Sequence, residues 1–518
     1  MKSALVFLLL SCLTAMAQNS WTNRHAAPIA YSDQGIAVAF DATGNTFVLS
    51  QDSDASFHFE FATLKYSPAG APLWTNYFHG PAFNHDLPVG LVIDSSGNAI
   101  VAGTSYGIDN LPDFATIKYS NSGVPLWTNR FNPINKSSFA QAVAADTNGN
   151  AFVTGYSENV HFMDITTVKY ASDGTPGWIR SYNGPRNLND YPQAMTVDKD
   201  GNVLVVGSTP GTANGIDENY DIVVLKYTND GTLAWTYQFS GPAGFNDQPS
   251  SVAVDNNGDV LVTGASSQNG GNSFKFTTLK LSGAGLPLWT NYYANFPFTT
   301  SKVIGVATDV HRDVYVAGTT GSIASPSIAV LKYSSNGTPV WTNTYAGLQN
   351  GATATGMSLD GNANVYVAGY EAASFQNDWV MLKLSGTGVP VSTNRYNGPD
   401  FRNDQASAIA VDTAGNAAVT GASATLTNRN CLTIRYAVPP LPAPLILTTT
   451  NSQPGGGNPT FAFDLSGPAN LNAVLQISSN LLNWINIGTN NLGNGHFHFT
   501  DPQPGTNRMR FYRAQLLP

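Results

Sequence analysis

Along most of this chain apolar and polar residues alternate in short runs, and clusters of Gly, Pro, Asn and Asp separate one run from the next. Alternation with period two puts successive side chains on opposite faces of an extended strand, so each run reads as a β-strand and each cluster as a turn. Gly90 to Asp94, Asn98 to Gly103, Phe114 to Tyr119 and Leu126 to Phe131 show the pattern in one stretch. Helical periodicity is nearly absent.

The strands come in fours because a larger unit repeats. Eight times a turn of the type Asp-x-x-Gly-Asn is followed by a β-rich run ending in Lys-Tyr and then by Trp-Thr-Asn, on a period of roughly 50 to 57 residues. Asp41 to Asn45, Lys65-Tyr66 and Trp74-Thr75-Asn76 form one full unit; degraded copies continue to Asp412, Asn416, Arg435 and Tyr436. Four antiparallel strands per repeat without helices is the pattern of a propeller blade, with a small-residue strand such as Ser251 to Asp255 innermost and the Trp-bearing strand outermost.

The ends of the array suggest how it closes. Trp21-Thr22-Asn23 stands alone near the start, whereas Arg435-Tyr436 has no Trp-Thr-Asn segment after it. The first strand therefore supplies what the last blade lacks, which removes the exposed sheet edges of an open ring. The expected fold is all-β: a propeller over 18–437, of eight four-stranded blades closed by the N-terminal strand. Pro-rich residues 438–444 then form a stiff linker, and strand-like runs in 445–518 suggest a small β-sandwich of immunoglobulin or fibronectin-III type.

Ser251-Val-Ala-Val-Asp255-Asn-Asn-Gly-Asp-Val-Leu-Val-Thr-Gly264, following Asp247, resembles the repeat called SBBP, the seven-bladed β-propeller repeat, and is similar to the NHL class. The likeness covers most of 21–436 and implies a propeller, but it brings no catalytic residues with it; eight units depart from the family's nominal seven. The stretch Lys-Tyr-Ser-x-x-Gly-x-x-Leu-Trp is similar to the tryptophan-docking pattern of eight-bladed quinoproteins. Leu475 to Ser478, Asn483-Trp484 and Phe511 to Ala514 resemble C-terminal Ig-like segments of exported bacterial proteins.

Composition narrows the function classes. Only 11% of the 518 residues are charged, the formal net charge is −9, and 24 Lys plus Arg are scattered, which argues against a basic face for nucleic acid or anionic membrane. Lys2, the apolar run Ala4 to Leu10 and Ala15-Met16-Ala17 read as a signal peptide over 1–17, giving an exported protein that is secreted, periplasmic or at the cell surface. Leu9-Leu10-Ser11-Cys12 offers a rival lipoprotein reading. No other stretch approaches the ~20 apolar residues of a membrane span. With Cys12 removed, Cys431 is left without a disulfide partner and reads as a packed thiol.

Candidate chemistry is mostly absorbed by the repeat. Gly103-Thr104-Ser105-Tyr106-Gly107 matches G-x-S-x-G, but no helix follows, and other repeats carry similar strand ends. The Asp-x-x-Gly-Asn carboxylates invite a calcium reading, yet a five-residue turn offers too few of the six to eight oxygens calcium takes; turn capping is the better account. His496 and His498 share one strand face without an evident third metal ligand. The seven recurring tryptophans and the lysines Lys65, Lys118, Lys169, Lys226, Lys280, Lys332 and Lys383 read as architecture.

The long, variable connections all fall on one rim, and binding sites gather where loops vary on a rigid scaffold. On that rim a Gly-Pro … Asn-Asp element places Asp86, Asp190, Asp247 and Asp404 before inner strands, with Asp113, Asp221 and Asp378 opening third strands and His79 and His85 close to Asp86. These are the candidate ligand-binding residues; they offer a ring of carboxylates at the channel mouth, but their repetition argues instead for turn capping. The expectation is an exported, monomeric, non-catalytic scaffold or binding module for a protein or glycan, with no nucleic acid, membrane span, metal or cofactor. The alternative is a propeller enzyme, with a quinone-dependent dehydrogenase foremost.

Overall fold

The computed structural model describes residues 20–26, residues 32–438 apart from short loop segments (212–218, 269–272 and 294–301 the longest), and the strands between 446 and 516. The signal-peptide reading of 1–17, and all but the first residue of the Pro-rich linker, lie outside the described residues. One compact unit spans 19–438 and a second contains 439–518.

The first unit consists of eight four-stranded antiparallel sheets. Blades 1 to 7 cover 34–78, 86–131, 138–182, 191–239, 247–293, 302–345 and 352–396. Their first strands touch one another in succession, and the first strand of blade 8 touches that of blade 1, so the ring closes. Blade 8 joins Asp404–Val411, Ala417–Ala424 and Arg429–Tyr436 to Trp21–His25, with Trp21 opposite Arg435 and His25 opposite Cys431. The N-terminal strand is thus the outer strand of the last blade.

The repeat residues account for how blades cohere. Asp41 accepts hydrogen bonds from the Thr43 and Asn45 backbone N–H groups, both at 2.9 Å, and Gly44 turns the chain at φ +80°. Burial alone would raise the Asp41 carboxyl, but these bonds and those from the Asn45 and Thr43 side chains hold it at about 2. Lys118 pairs with Asp94 of its own blade at 2.8 Å and donates to Gly149 and Ser172 carbonyls of the next, stitching blade 2 to blade 3. Lys226 and Lys280 pair in the same way with Asp198 and Asp255. Arg435 replaces the lysine in blade 8 and donates to Gly44 O in blade 1 at 2.8 Å.

Each tryptophan covers a glycine of the following blade. The Trp74 indole N–H donates to Asn121 O at 3.0 Å, and a Cβ on Gly123 would lie 2.7 Å from the Trp74 ring, so glycine is needed there for space as well as for its φ of +88°. Trp21 covers Gly70, and so on round the ring to Trp341 over Gly388. Ser392, the one departure, has nothing to cover: blade 8 has no turn between its third and outer strands, because its outer strand comes from the other end of the chain.

The C-terminal unit contains two three-stranded antiparallel sheets around a small core of Phe463, Leu465, Ala473, Leu475 and Leu492. His496 Nδ1 lies 2.9 Å from Ser466 Oγ, and His498 Nδ1 pairs with Asp464 on the same exposed face.

Candidate functional site

The channel wall is made by the eight first strands, and each carries a β-bulge at the same place. The register against the second strand skips one residue between Gly35 and Ala37, Pro192 and Ala194, Pro249 and Ser251, Ala354 and Gly356, and likewise in the other four blades. A bulge leaves one residue unpaired and re-aims its side chain. The skipped residues Gln193, Ser250, Ile304, Thr355 and Ser407 line a cavity of about 1330 Å³. A second tier of the same cavity comes from two positions earlier, with Gln34, Tyr191, Gln248, Lys302, Thr353 and Gln405. The cavity lies at the end of the ring that carries the longer connections, since these residues sit at the starts of first strands.

Unlike the walls between blades, this lining repeats only in part: Gln34, Gln248 and Gln405 share one position and Ser250 and Ser407 another, whereas Tyr191 and Lys302 depart from them. An aromatic row runs across blades 3 and 4: Phe139 stacks on Tyr156 with centroids 5.1 Å apart, Tyr156 meets Tyr191 edge-on at 5.1 Å, and Tyr191 lies 6.2 Å from Tyr220. Tyr191 and Tyr220 face the cavity itself. Towards blades 5 to 8 the wall mixes amide, hydroxyl and ammonium groups with Phe274, Ile304 and Tyr370, and Lys302 is exposed. Gln34 reaches across the closing seam to donate to Ser407 Oγ at 3.0 Å.

The sequence-derived carboxylates occupy a different layer. Asp86, Asp190, Asp247 and Asp404 are buried, and each accepts a hydrogen bond from a glycine N–H six residues earlier: Gly80 at 2.7 Å, Gly184 at 2.7 Å, Gly241 at 2.6 Å and Gly398 at 2.6 Å. They tie down the connections between blades instead of facing ligand, because the side chains of the preceding position in the pleat point into the sheet seam. Burial pushes Asp190 and Asp247 up to about 6. Asp113 is held by Arg130 at 2.7 Å and Asp221 by Gln238 at 2.9 Å; Asp378 is half-buried near Gln376. Of the two readings, the geometry fits capping of the connections and not an open ring of carboxylates.

His79, His85 and Asp86 do not form one constellation. His79 Nε2 lies 2.8 Å from Glu60, which burial, and then the nearby Asp52 and Asp54, push up to about 7. His85 instead accepts the Phe59 N–H at 3.2 Å and meets the His58 ring edge-on. Ser105 of the G-x-S-x-G match is buried and its Oγ accepts from Arg130 at 2.7 Å, the role of a packed hydroxyl. Among the described residues no group of three or more His, Cys, Asp or Glu side chains is placed to hold a metal ion. Sequence reasoning missed Tyr191, Gln248 and Lys302; the signal was available, for each immediately follows the Asp or Ser at the head of a first strand and varies where its neighbours repeat.

With this geometry in hand, the comparisons fall into place. Residues 126–162 match the SBBP β-propeller repeat. An uncharacterized WD repeat-containing protein of Acanthamoeba polyphaga mimivirus is 25% identical over 318 residues, which is 56% of this chain but 19% of that protein; the chain spans about a fifth of that relative's length. Among solved structures, the polysaccharide lyase Uly1 is similar at 11% identity and a TM-score of 0.42, covering 74% of this chain and 93% of its own. The periplasmic gluconolactonase of Pseudomonas aeruginosa is similar at 12% identity and a TM-score of 0.42, covering 72% and 97%.

One expectation is withdrawn on these findings. The chain was expected not to be an enzyme because its polar residues repeat round the ring, yet solved propellers similar to it are titled as enzymes. Repetition in the walls is no argument against catalysis when the channel lining is free to differ from blade to blade. At such identities the likeness shows the fold and assigns this chain no reaction.

Proposed function

We propose that the long-loop mouth of the channel is a carbohydrate site, which binds a polysaccharide chain and, on the enzyme reading, acts on it. The observation that carries this reading is the row Phe139–Tyr156–Tyr191–Tyr220, whose last two members line the cavity. A sugar ring presents C–H groups on its flat faces and hydroxyls round its edge. The C–H faces pack against the electron-rich faces of tyrosine and phenylalanine, and the edge hydroxyls need partners that both donate and accept. Gln193, Gln248, Ser250 and Ser407 provide such partners along the adjoining wall. The volume exceeds the ~300–1000 Å³ of ordinary small-molecule pockets, which suits several linked sugars.

Calorimetric titration of the full chain with a panel of soluble polysaccharides tests the proposal. Tyr191→Ala is expected to weaken binding about fivefold, roughly 1 kcal/mol for one stacking contact. Chromatography of each incubated polymer reports turnover as new chain ends. Failure of every polymer to bind, or a Tyr191→Ala protein that binds like the parent, refutes the site.

A further inference from the structure

At one seam of the ring the charge pattern reverses. The residue that faces the second-strand position after the bulge is acidic in five blades: Glu60, Asp113, Asp164, Asp221 and Asp378 open third strands in register with Asp52, Ser105, Ser157, Thr209 and Glu371. In blade 5 the same register position, opposite Ser266, holds Lys275. The next blade places Lys302 in the cavity wall, at the head of its first strand. No ion pair joins either lysine to a carboxylate among the described residues, whereas Lys65, Lys118, Lys226, Lys280 and Lys332 of the opposite face are all paired.

Their surroundings are free of competing anions in the sequence as well. Between Gln268 and Gly351 the only acidic residues are Asp309 and Asp313, and both belong to the opposite-face turn, where Lys332 takes them. Elsewhere round the mouth the anchor carboxylates are buried under the blade connections, so they present little charge to the cavity. The ammonium of Lys302 is the charge that a ligand in this cavity meets.

We infer that the carbohydrate taken at this mouth is an acidic polysaccharide, whose carboxylate or sulfate groups are neutralised by Lys302 in the cavity wall. The inference rests on the carbohydrate reading and narrows it. Sugar rings stack on the Tyr156–Tyr191–Tyr220 side, and the anionic substituent reaches round to blade 6. An exposed ammonium in a chain of net charge −9 also counters the repulsion a polyanion would otherwise meet on approach.

The test compares polymers that share a backbone and differ in charge: polygalacturonate with its carboxyl-reduced form, and a sulfated galactan with its desulfated form. The full chain is expected to bind at least one charged member about tenfold more tightly than its neutral counterpart, the worth of one charge-assisted contact, and to lose that preference in 0.5 M salt. Lys302→Gln should remove the preference, and Lys302→Arg should retain it; the pair that responds tells carboxylate from sulfate. Equal binding of charged and neutral partners, or a preference that survives Lys302→Gln, overturns the inference and leaves the carbohydrate site standing. Absence of binding by every polymer, charged or neutral, overturns both.

Discussion

Replacing Asp190 and Asp247 by Asn should flatten the dependence of stability on pH. Each carboxyl is buried at the start of a first strand and tied to a glycine N–H, and burial raises it from 3.8 to about 6. In the unfolded chain the same groups titrate at their ordinary value, so between pH 4 and 6 the folded protein holds protons that the unfolded chain has lost. A folded pKa that lies above the unfolded one gives stability that is fully present below the unfolded value and is lost as pH rises through the folded one. Two pH units correspond to about 3 kcal/mol for each group at ~1.4 kcal/mol per unit. For a unit of about 420 residues the unfolding entropy is on the order of 0.9 kcal/mol per kelvin, so the pair is worth roughly 6 °C. The parent should therefore lose that much in Tm between pH 4 and pH 7, and the double Asn variant should lose about 6 °C less, since Asn keeps an acceptor for Gly184 and Gly241 but does not titrate. Differential scanning fluorimetry across that range measures both slopes. Superimposable slopes would show that these carboxyls are ionised in the folded ring and that the anchor account is mistaken.

Below that window the sign reverses. Asp41 is held at about 2, so melting temperature should fall again as pH drops from 4 towards 2, and Asp41→Asn should blunt that limb in the same scans. Trp74→Ala should cost about 3 kcal/mol by urea denaturation through lost contact with Phe47, Tyr119 and the Gly123 turn, whereas Ser392→Trp should give no gain, having no turn to cover. Ala363 occupies a turn at φ +60° where six of the other seven copies use Gly, so Ala363→Gly should raise stability by about 1 kcal/mol, the size of the left-handed penalty it removes. Deleting residues 20–26 should expose the third strand of blade 8 and produce oligomers in size-exclusion chromatography.

Most of the ring was legible in the sequence, because a blade is specified locally. The Asp-x-x-Gly-Asn turn, the buried Lys and the Trp-over-Gly contact each depend on a fixed spacing, and the spacing recurs. Closure by Trp21–His25 could be read from one orphan segment and one missing segment. The site was less legible for a physical reason. Which first-strand side chains face the channel is set by a bulge, and a bulge shifts the two-residue alternation by one, so a reading that follows the pleat assigns the wrong residues to the wall. That is why Asp190 and Asp247 were expected at the mouth when their neighbours Tyr191 and Gln248 are there.

Departures from the repeat have two distinct sources, and only one concerns function. Ser392 in place of Trp, Arg435 in place of Lys and the isolated Trp21 strand are consequences of joining the two ends of the chain: remove the covalent turn of the last blade and the residues that recognise that turn lose their purpose. Tyr156, Tyr191, Tyr220, Lys275 and Lys302 have no such explanation. They lie in blades away from the closing joint; Tyr156 and Tyr191 meet across blades 3 and 4, and Tyr191, Tyr220 and Lys302 line the cavity. Variation confined to channel-facing positions of an otherwise repeating ring is what a ligand of low symmetry would require, since eight identical blades can offer it only eight identical contacts. Tyr191 and Tyr220 line the cavity on blade 4 and Lys302 on blade 6, so a ligand that satisfies both must have an apolar face and an anionic edge in one molecule.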